Sequence, residues 1–252
     1  MSRPAYFRAP AARLVALLAP ARGARFLDLG AGTGAVSRAA RRRTREVVGC
    51  DPSLAMLRQG GAGGGSGVAG ALPALPFADR AFTHVGASFV LSHLADPVAA
   101  LVEVRRVLAR GGRCGLTAWA ADPSESAPGL LWAVVAGEHF GAASGASAAT
   151  SLPSEAALTD PARLAACLEG AGFAVEIAAG EQFAVAISLA RFLASRAISA
   201  RARSLRAAVP PSRWRRFERD AGIRLAARFG RSLRFETRVN FAIGVVGERL
   251  IK

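Results

Sequence analysis

Three glycines, Gly30, Gly32 and Gly34, follow an apolar run that itself carries an aspartate, Asp28. A buried strand normally excludes a carboxylate and a helix start does not need three glycines, so FLDLGAGTG (26–34) serves more than packing. A glycine turn at the end of a strand lets backbone come close to a ligand, and the next helix offers unpaired N–H groups and the positive end of its dipole. Gly30, Gly32 and Ala35 also satisfy the spacing G-x-G-x-x-A, a weak match taken alone. Asp51 stands 21 residues after Gly30, at the expected end of a second strand, where its two oxygens could accept from two ribose hydroxyls. The chemistry this pattern fits is the holding of a ribose-bearing ligand.

The elements that must position these residues read as an alternation of strands and helices. Apolar runs at 25–30, 46–51, 81–90 and 111–120 alternate with helical patterns at 35–43, 52–59 and 97–109, which predicts parallel strands joined by crossover helices. Pro52 sits at a first helical position, and the glycine-rich GGAGGGSG (60–67) reads as a loop before a short strand, VAGAL (68–72). Residues 121–160 are rich in Ala, Ser, Gly and Pro, with one apolar helix at 129–140. A helix over 161–173 leads into a strand, FAVEIA; residues 185–235 read as helical and arginine-rich, and 239–247 as a last strand. The expected organisation is an N-terminal helical segment (1–24), a ligand-binding core (25–120), a cap insertion (121–160), and a closing part (161–252) that carries a basic helical insertion over 185–235.

The totals narrow the function classes. With 52% hydrophobic and 20% charged residues, the 252-residue chain has ample material for a core, which excludes disorder. Three scattered cysteines (Cys50, Cys114, Cys167) give neither a disulfide framework nor zinc spacing, so no metal is expected and a reducing, cytoplasmic compartment fits. No apolar run approaches the roughly 18 residues of a membrane span. LVALLA near the start reads as a first helix packed on the core rather than a cleaved signal, since Leu14, Leu17 and Leu18 have helical spacing.

The net charge of +15 is uneven: 189–252 hold 15 Arg and one Lys against four acids. Lys252 is the only lysine, which points to coding bias. The arginine crowding is a physical feature all the same, suited to an anionic or carrier-bound small-molecule substrate, an acidic carrier, or, less favoured, RNA. RWRRFERDAGIRLAARFGRSLRF (213–235) interleaves aromatics with Arg as a stacking surface does, yet Trp214, Phe217, Leu225 and Phe229 also have the spacing of a core-facing stripe.

Asp28 discriminates between ribose-bearing ligands. A carboxylate two residues before a pyrophosphate site would repel it, whereas S-adenosylmethionine (SAM) presents a cationic amino group and a sulfonium. LDLGAGTG, GCDPSLAML, ALPF, LSHLADP and EVRRVLARGGR, in that order over residues 25–119, closely resemble class I SAM-dependent methyltransferases. The likeness is strongest to the small-molecule branch that includes the ubiquinone and menaquinone biosynthesis enzymes. The resemblance implies an α/β, Rossmann-like fold: a seven-stranded, mostly parallel sheet with helices on both faces and a helical cap. It implies methyl transfer from SAM to an O, N or C nucleophile of a small molecule.

Carried over by position, the resemblance turns Asp28, Gly30, Ala31, Gly32 and Gly34 toward the methionine end of SAM, with Asp51 and Pro52 at the ribose and Met56 near the adenine. Ala71 and Leu72 would lie beside the adenine edge, and Ser88 and Phe89 near the sulfonium. The family usually has an acid where Ala71 stands and another at Thr83, so adenine recognition here falls to backbone groups or water. Two readings of the acids stay open: Asp28 as a carboxylate satisfied by the loop itself, and Asp51 as a helix cap. His93 and His139 are weak catalytic candidates, His84 reads as structural, and Tyr6 and Trp119 are candidates for the substrate cavity. The alternatives are an RNA or protein methyltransferase, and a SAM-fold protein that binds a ligand without methylating.

Overall fold

The computed structural model describes residues 5–60, 66–120, 126–141, 158–197 and 200–247. Seven strands form one sheet: β1 (Arg25–Leu29), β2 (Glu46–Asp51), β3 (Ser66–Ala69), β4 (Phe82–Ser88), β5 (Leu108–Trp119), β6 (Phe173–Ser188) and β7 (Ser232–Val246). Their order is β3-β2-β1-β4-β5-β7-β6. The first five are mutually parallel, and β7 runs antiparallel to both its neighbours. The chain reverses direction across the sheet between β1 and β4, which opens a crevice at the carboxyl ends of those strands, the place where ligands bind in open α/β sheets.

The helices are α1 (Arg8–Leu18), α2 (Ala35–Ala40), α3 (Leu54–Gly60), α4 (Pro97–Val107), α5 (Ala127–Phe140), α6 (Pro161–Gly170), α7 (Leu189–Ala197), α8 (Ala200–Ala207) and α9 (Pro211–Phe229). Three of them start by one local rule, a capping side chain followed by proline. Asp96 accepts from Ala99 N (2.9 Å), Ser126 from Gly129 N (3.3 Å) and Asp160 from Ala162 N (2.8 Å), with Pro in the first turn each time.

Both sheet faces are covered. Leu14, Val15 and Leu18 of α1 and Val36 of α2 pack with Phe26, Phe241 and Ile243 on one side. Leu101 and Val104 of α4 and Leu164 and Leu168 of α6 pack with Leu27, Val85 and Leu116 on the other. A third cluster makes the cap: Trp132, Val135 and Phe140 of α5 meet Phe192 of α7, Trp214, Phe217 and Leu225 of α9, and Val185, Ile187 and Leu233.

The last strands correct the expected helical stretch. β6 runs on to Ser188 and β7 starts at Ser232, in antiparallel register unbroken from Ile177 onward, so between them the helices are α7, α8 and α9 alone among the described residues. The alternation Phe173, Val175, Ile177 resumes as Val185, Ile187, but Gly180, Glu181 and Gln182 interrupt its apolar run and hide its length. Smaller corrections follow from the backbone: α2 stops at Ala40 and α6 at Gly170, β3 begins at Ser66 and ends at Ala69, and Leu108 opens β5 instead of closing α4. α3 starts at Leu54, so Pro52 precedes the helix. Residues 61–65 of the glycine-rich loop and 121–125 and 142–157 of the expected cap insertion lie outside the described residues.

Among the described residues no helix is long and apolar enough to cross a membrane, and no cluster of three His, Cys, Asp or Glu could hold a metal. Trp214 and Phe217 are 3% and 0% exposed, so these two aromatics of α9 face the cap core and offer no stacking surface.

Candidate cofactor site

The glycine turn joins β1 to α2, and all three glycines have positive φ, at 64°, 52° and 78° for Gly30, Gly32 and Gly34. A Cβ at Gly30 would also run into Val90 Cγ2, so both conformation and space demand glycine there. Backbone bonds lock the turn: Ala31 N donates to Cys50 O (3.0 Å) and Gly34 N to Ala31 O (2.7 Å).

Asp28 is 1% exposed and lies beneath this turn. Its Oδ2 accepts from the Ser37 N–H (2.7 Å) and the Ser37 hydroxyl (2.6 Å). The carboxylate therefore anchors the first turn of α2. These bonds through Oδ2 are what a carboxylate satisfied from within makes, the alternative to direct contact with a ligand.

Asp51 is half-buried at the end of β2, and each of its oxygens takes one backbone donor. Gly32 N donates to Oδ2 (2.8 Å) and Ser53 N to Oδ1 (2.8 Å). The carboxylate thus ties the glycine turn to the entrance of α3. Ser53 caps that helix, its hydroxyl accepting from Met56 N (3.3 Å), so the capping role expected of Asp51 passes to its neighbour. A carboxylate has about four acceptor positions, which leaves Asp51 able to receive two further O–H donors.

Thr33 is the residue that sequence reasoning missed inside the turn. Its Oγ1 is buried without a hydrogen-bond partner among the described residues, a defect that costs about 1–3 kcal/mol unless a ligand supplies the partner. Together with Asp51 and the glycine cradle, this orphaned hydroxyl fits the polar methionine–ribose half of SAM.

Beyond β3, Gly70 N donates to Asp51 O (3.3 Å), and exposed Ala71 turns back to pair with Ala74, whose N–H reaches Ala71 O (3.1 Å). Leu72 and Met56 are half-buried and Pro52 is exposed. The loop that follows is clamped from α4. Glu103 accepts from Leu75 N (2.7 Å), and Arg106 donates to Leu75 O (3.2 Å), Phe77 O (2.9 Å), Asp79 (2.6 Å) and Glu103 (2.8 Å). The Arg106 hydrogen bond holds the Glu103 carboxyl below its ordinary range, so the clamp is present at neutral pH and is lost as pH falls through that depressed value. Arg106→Ala is expected to raise amide exchange across 72–79 and to weaken SAM binding several-fold with little change in melting temperature; calorimetry and hydrogen exchange check both.

At the tip of β4, the Ser88 and Thr117 hydroxyls are 2.9 Å apart, and Phe89 N donates to Thr117 O (3.0 Å) and Oγ1 (3.2 Å). These bonds hold Phe89 at φ 59°, an uncommon conformation for a bulky residue. Its ring stacks on Trp119 (4.2 Å, 26°) and meets Phe7 edge-on (5.3 Å). Thr117, buried and carrying no motif, is a second residue that sequence reasoning missed.

Tyr6 does not close over this cleft as expected. It is 6% exposed, its hydroxyl is 3.4 Å from Ser195 Oγ and its ring lies against Phe235 (5.8 Å); its neighbour Phe7 supplies the ring beside Phe89 and Trp119. His139 is likewise no cleft residue: Nε2 engages Asp220 (3.1 Å) and the ring packs on Phe217 (5.8 Å) in the cap. His93 is exposed at the end of the short turn Leu91–His93 after β4. His84 stacks on Phe26 within the sheet, and burial together with Arg113 lowers its pKa.

Comparisons with known proteins agree with this geometry. Residues 27–116 match the family model described as a methyltransferase domain. A demethylmenaquinone methyltransferase of Thermobifida fusca (strain YX) is 46% identical over 94 residues, which are 34% of this chain and 40% of the relative. The chain thus matches well under half the length of such curated relatives. Across the fold it is similar to a Bacillus halodurans C-125 protein assigned as a methyltransferase (TM-score 0.59, 18% identity, covering 95% of this chain and 100% of the other). It is also similar to the [4+2]-cyclase SpnF (TM-score 0.57, 17% identity, covering 95% and 82%). Residues 27–116 are thus similar to a methyltransferase domain, and they lie on a Rossmann-like seven-stranded sheet.

Proposed function

We propose that this protein binds SAM in the crevice between β1 and β4 and directs its methyl group to an O, N or C nucleophile of a small, apolar, aromatic acceptor. The observation that carries the reading is Asp51, held between the glycine turn and α3 with acceptor positions to spare. Thr33 and the turn Gly30–Gly34 would hold the methionine end, and backbone of the clamped loop after Ala71 the adenine. SAM supplies an electrophilic methyl on a sulfonium, so what falls to the chain itself is to align the acceptor and exclude water. Phe89, Trp119 and Phe7 suit that role as a half-buried aromatic cluster at the carboxyl ends of β4 and β5. Free, buried Cys50 and Cys114 fit a reducing, cytoplasmic setting.

The test is transfer of isotope-labelled methyl from SAM to demethylmenaquinone, the acceptor named for the Thermobifida fusca relative, beside an aliphatic amine as control. Label in the aromatic acceptor is expected. Trp119→Ala should lower turnover by about tenfold while leaving SAM affinity within about twofold, since it removes acceptor wall and not cofactor contact. A second reading, SAM binding without methyl transfer, is favoured by the absent acid at Ala71 and by the likeness in fold to a cyclase. Formation of S-adenosylhomocysteine during turnover separates the two.

A further inference from the structure

α5 is apolar through Gly137, and Glu138 and His139 are its only polar side chains. Trp132, Val135, Ala136 and Phe140 face the cap core, yet Leu130 and Val134 on the opposite side are 54% and 56% exposed. Contiguous exposed apolar side chains, unlike single ones, mark an interaction surface. α9 lies antiparallel beside it: Arg224 pairs with Glu138 (2.7 Å) near one end, and Leu130, Leu131, Ala227 and Phe229 line a shallow groove near the other. Ile223, 61% exposed, continues the apolar strip on α9. Leu54 and Val102 are exposed singly on other helices and need no such explanation.

Charge around the strip is mostly positive. Arg216 and Arg219 stand seven and four residues before Ile223, on the same helix face, and both are exposed. With Arg228 they make no ion pair among the described residues. The acids of this face, Glu138 (2.7 Å) and Asp220 (3.2 Å), share Arg224, and Asp220 also lies 3.1 Å from His139 Nε2, so Arg216, Arg219 and Arg228 leave the face net positive. Exposed aliphatic side chains bordered by unpaired arginines, with no acceptor or donor arrayed for a specific partner, are the composition of a surface that lies in a bilayer interface.

We infer that the outer face of α5 and α9 docks on an anionic lipid surface, with Leu130, Val134 and Ile223 entering the interface and Arg216, Arg219 and Arg228 meeting lipid phosphates. This docking is independent of SAM and is read without it. The full chain is sedimented with phosphatidylcholine vesicles and with vesicles mixing phosphatidylcholine and phosphatidylglycerol. Binding to the mixed vesicles at least about tenfold above that to phosphatidylcholine is expected, falling as salt rises from about 0.1 to about 0.5 M. The double variant Leu130→Asp, Val134→Asp and the double variant Arg216→Glu, Arg219→Glu should each lose about tenfold with unchanged thermal melts, because all four side chains are exposed. Equal partitioning to both vesicle types would overturn the inference. So would full retention by the Leu130→Asp, Val134→Asp protein, which would mean charge adsorption alone, or tighter binding to single-stranded RNA than to the mixed vesicles.

Discussion

Replacing Asp51 by alanine is expected to abolish measurable SAM binding while the fold stands. The carboxylate is half-buried, and its two present partners, Gly32 N and Ser53 N, lie at a crevice where water can replace it. The cost to stability is therefore small, about 1 kcal/mol. Binding loses far more, because two ribose hydroxyls would each forfeit a hydrogen bond to a charged group, worth about 1.5–3 kcal/mol apiece. The sum corresponds to an affinity loss of roughly a hundredfold or more. Asp51→Asn should fall between, since one oxygen remains while the amide turns a donor toward the N–H of Gly32 or Ser53. Titration calorimetry on the two variants, with circular dichroism as the folding control, reads the outcome. Near-normal affinity in Asp51→Ala would remove the ribose assignment.

Asp28→Ala should do the opposite, damaging the fold before any cofactor is added. The aspartate is buried and two donors of one serine converge on it, the N–H at 2.7 Å and the hydroxyl at 2.6 Å. Alanine would leave both donors without that acceptor in a dry site, at about 2–4 kcal/mol. For a chain of this size that lowers the melting temperature by roughly 5–15 °C. Ser37→Ala keeps the backbone donor and should cost about 1 kcal/mol. Were Asp28 a ligand contact only, the cofactor-free Asp28→Ala protein would melt with the wild type and differ only when SAM is present. Scanning calorimetry without ligand separates these roles.

The direction of Asp28 was legible in principle. Side chains two apart on a strand share a face, and Phe26 packs on the α1–α2 side, so Asp28 must point toward the start of α2. The parallel core was legible because β1, β2 and β4 are short apolar runs each followed by a helical period, and Asp51 because its place at a strand end follows from that pattern. Thr33, Ser53 and Thr117 were not, since a lone hydroxyl carries no periodicity and its role depends on what the fold brings near. Thr117 meets Ser88 across 29 residues of chain. Tyr6 and Phe7 show the same limit: composition offered an aromatic near the cleft, but only the backbone decides which of two adjacent rings faces it. In the cap, Gly180 to Gln182 break the apolar signal of a strand whose register against β7 continues through Gly180 and Asn240, so length was lost where pairing, not hydrophobicity, sustains the element.

Titration of the purified wild-type chain with SAM and with S-adenosylhomocysteine tests the central claim most directly. Saturable binding of both at one site, with Kd on the order of micromolar, is predicted. Absence of binding by either ligand up to about millimolar concentration would contradict it, because the glycine turn, Asp51 and Thr33 would then have no SAM to hold.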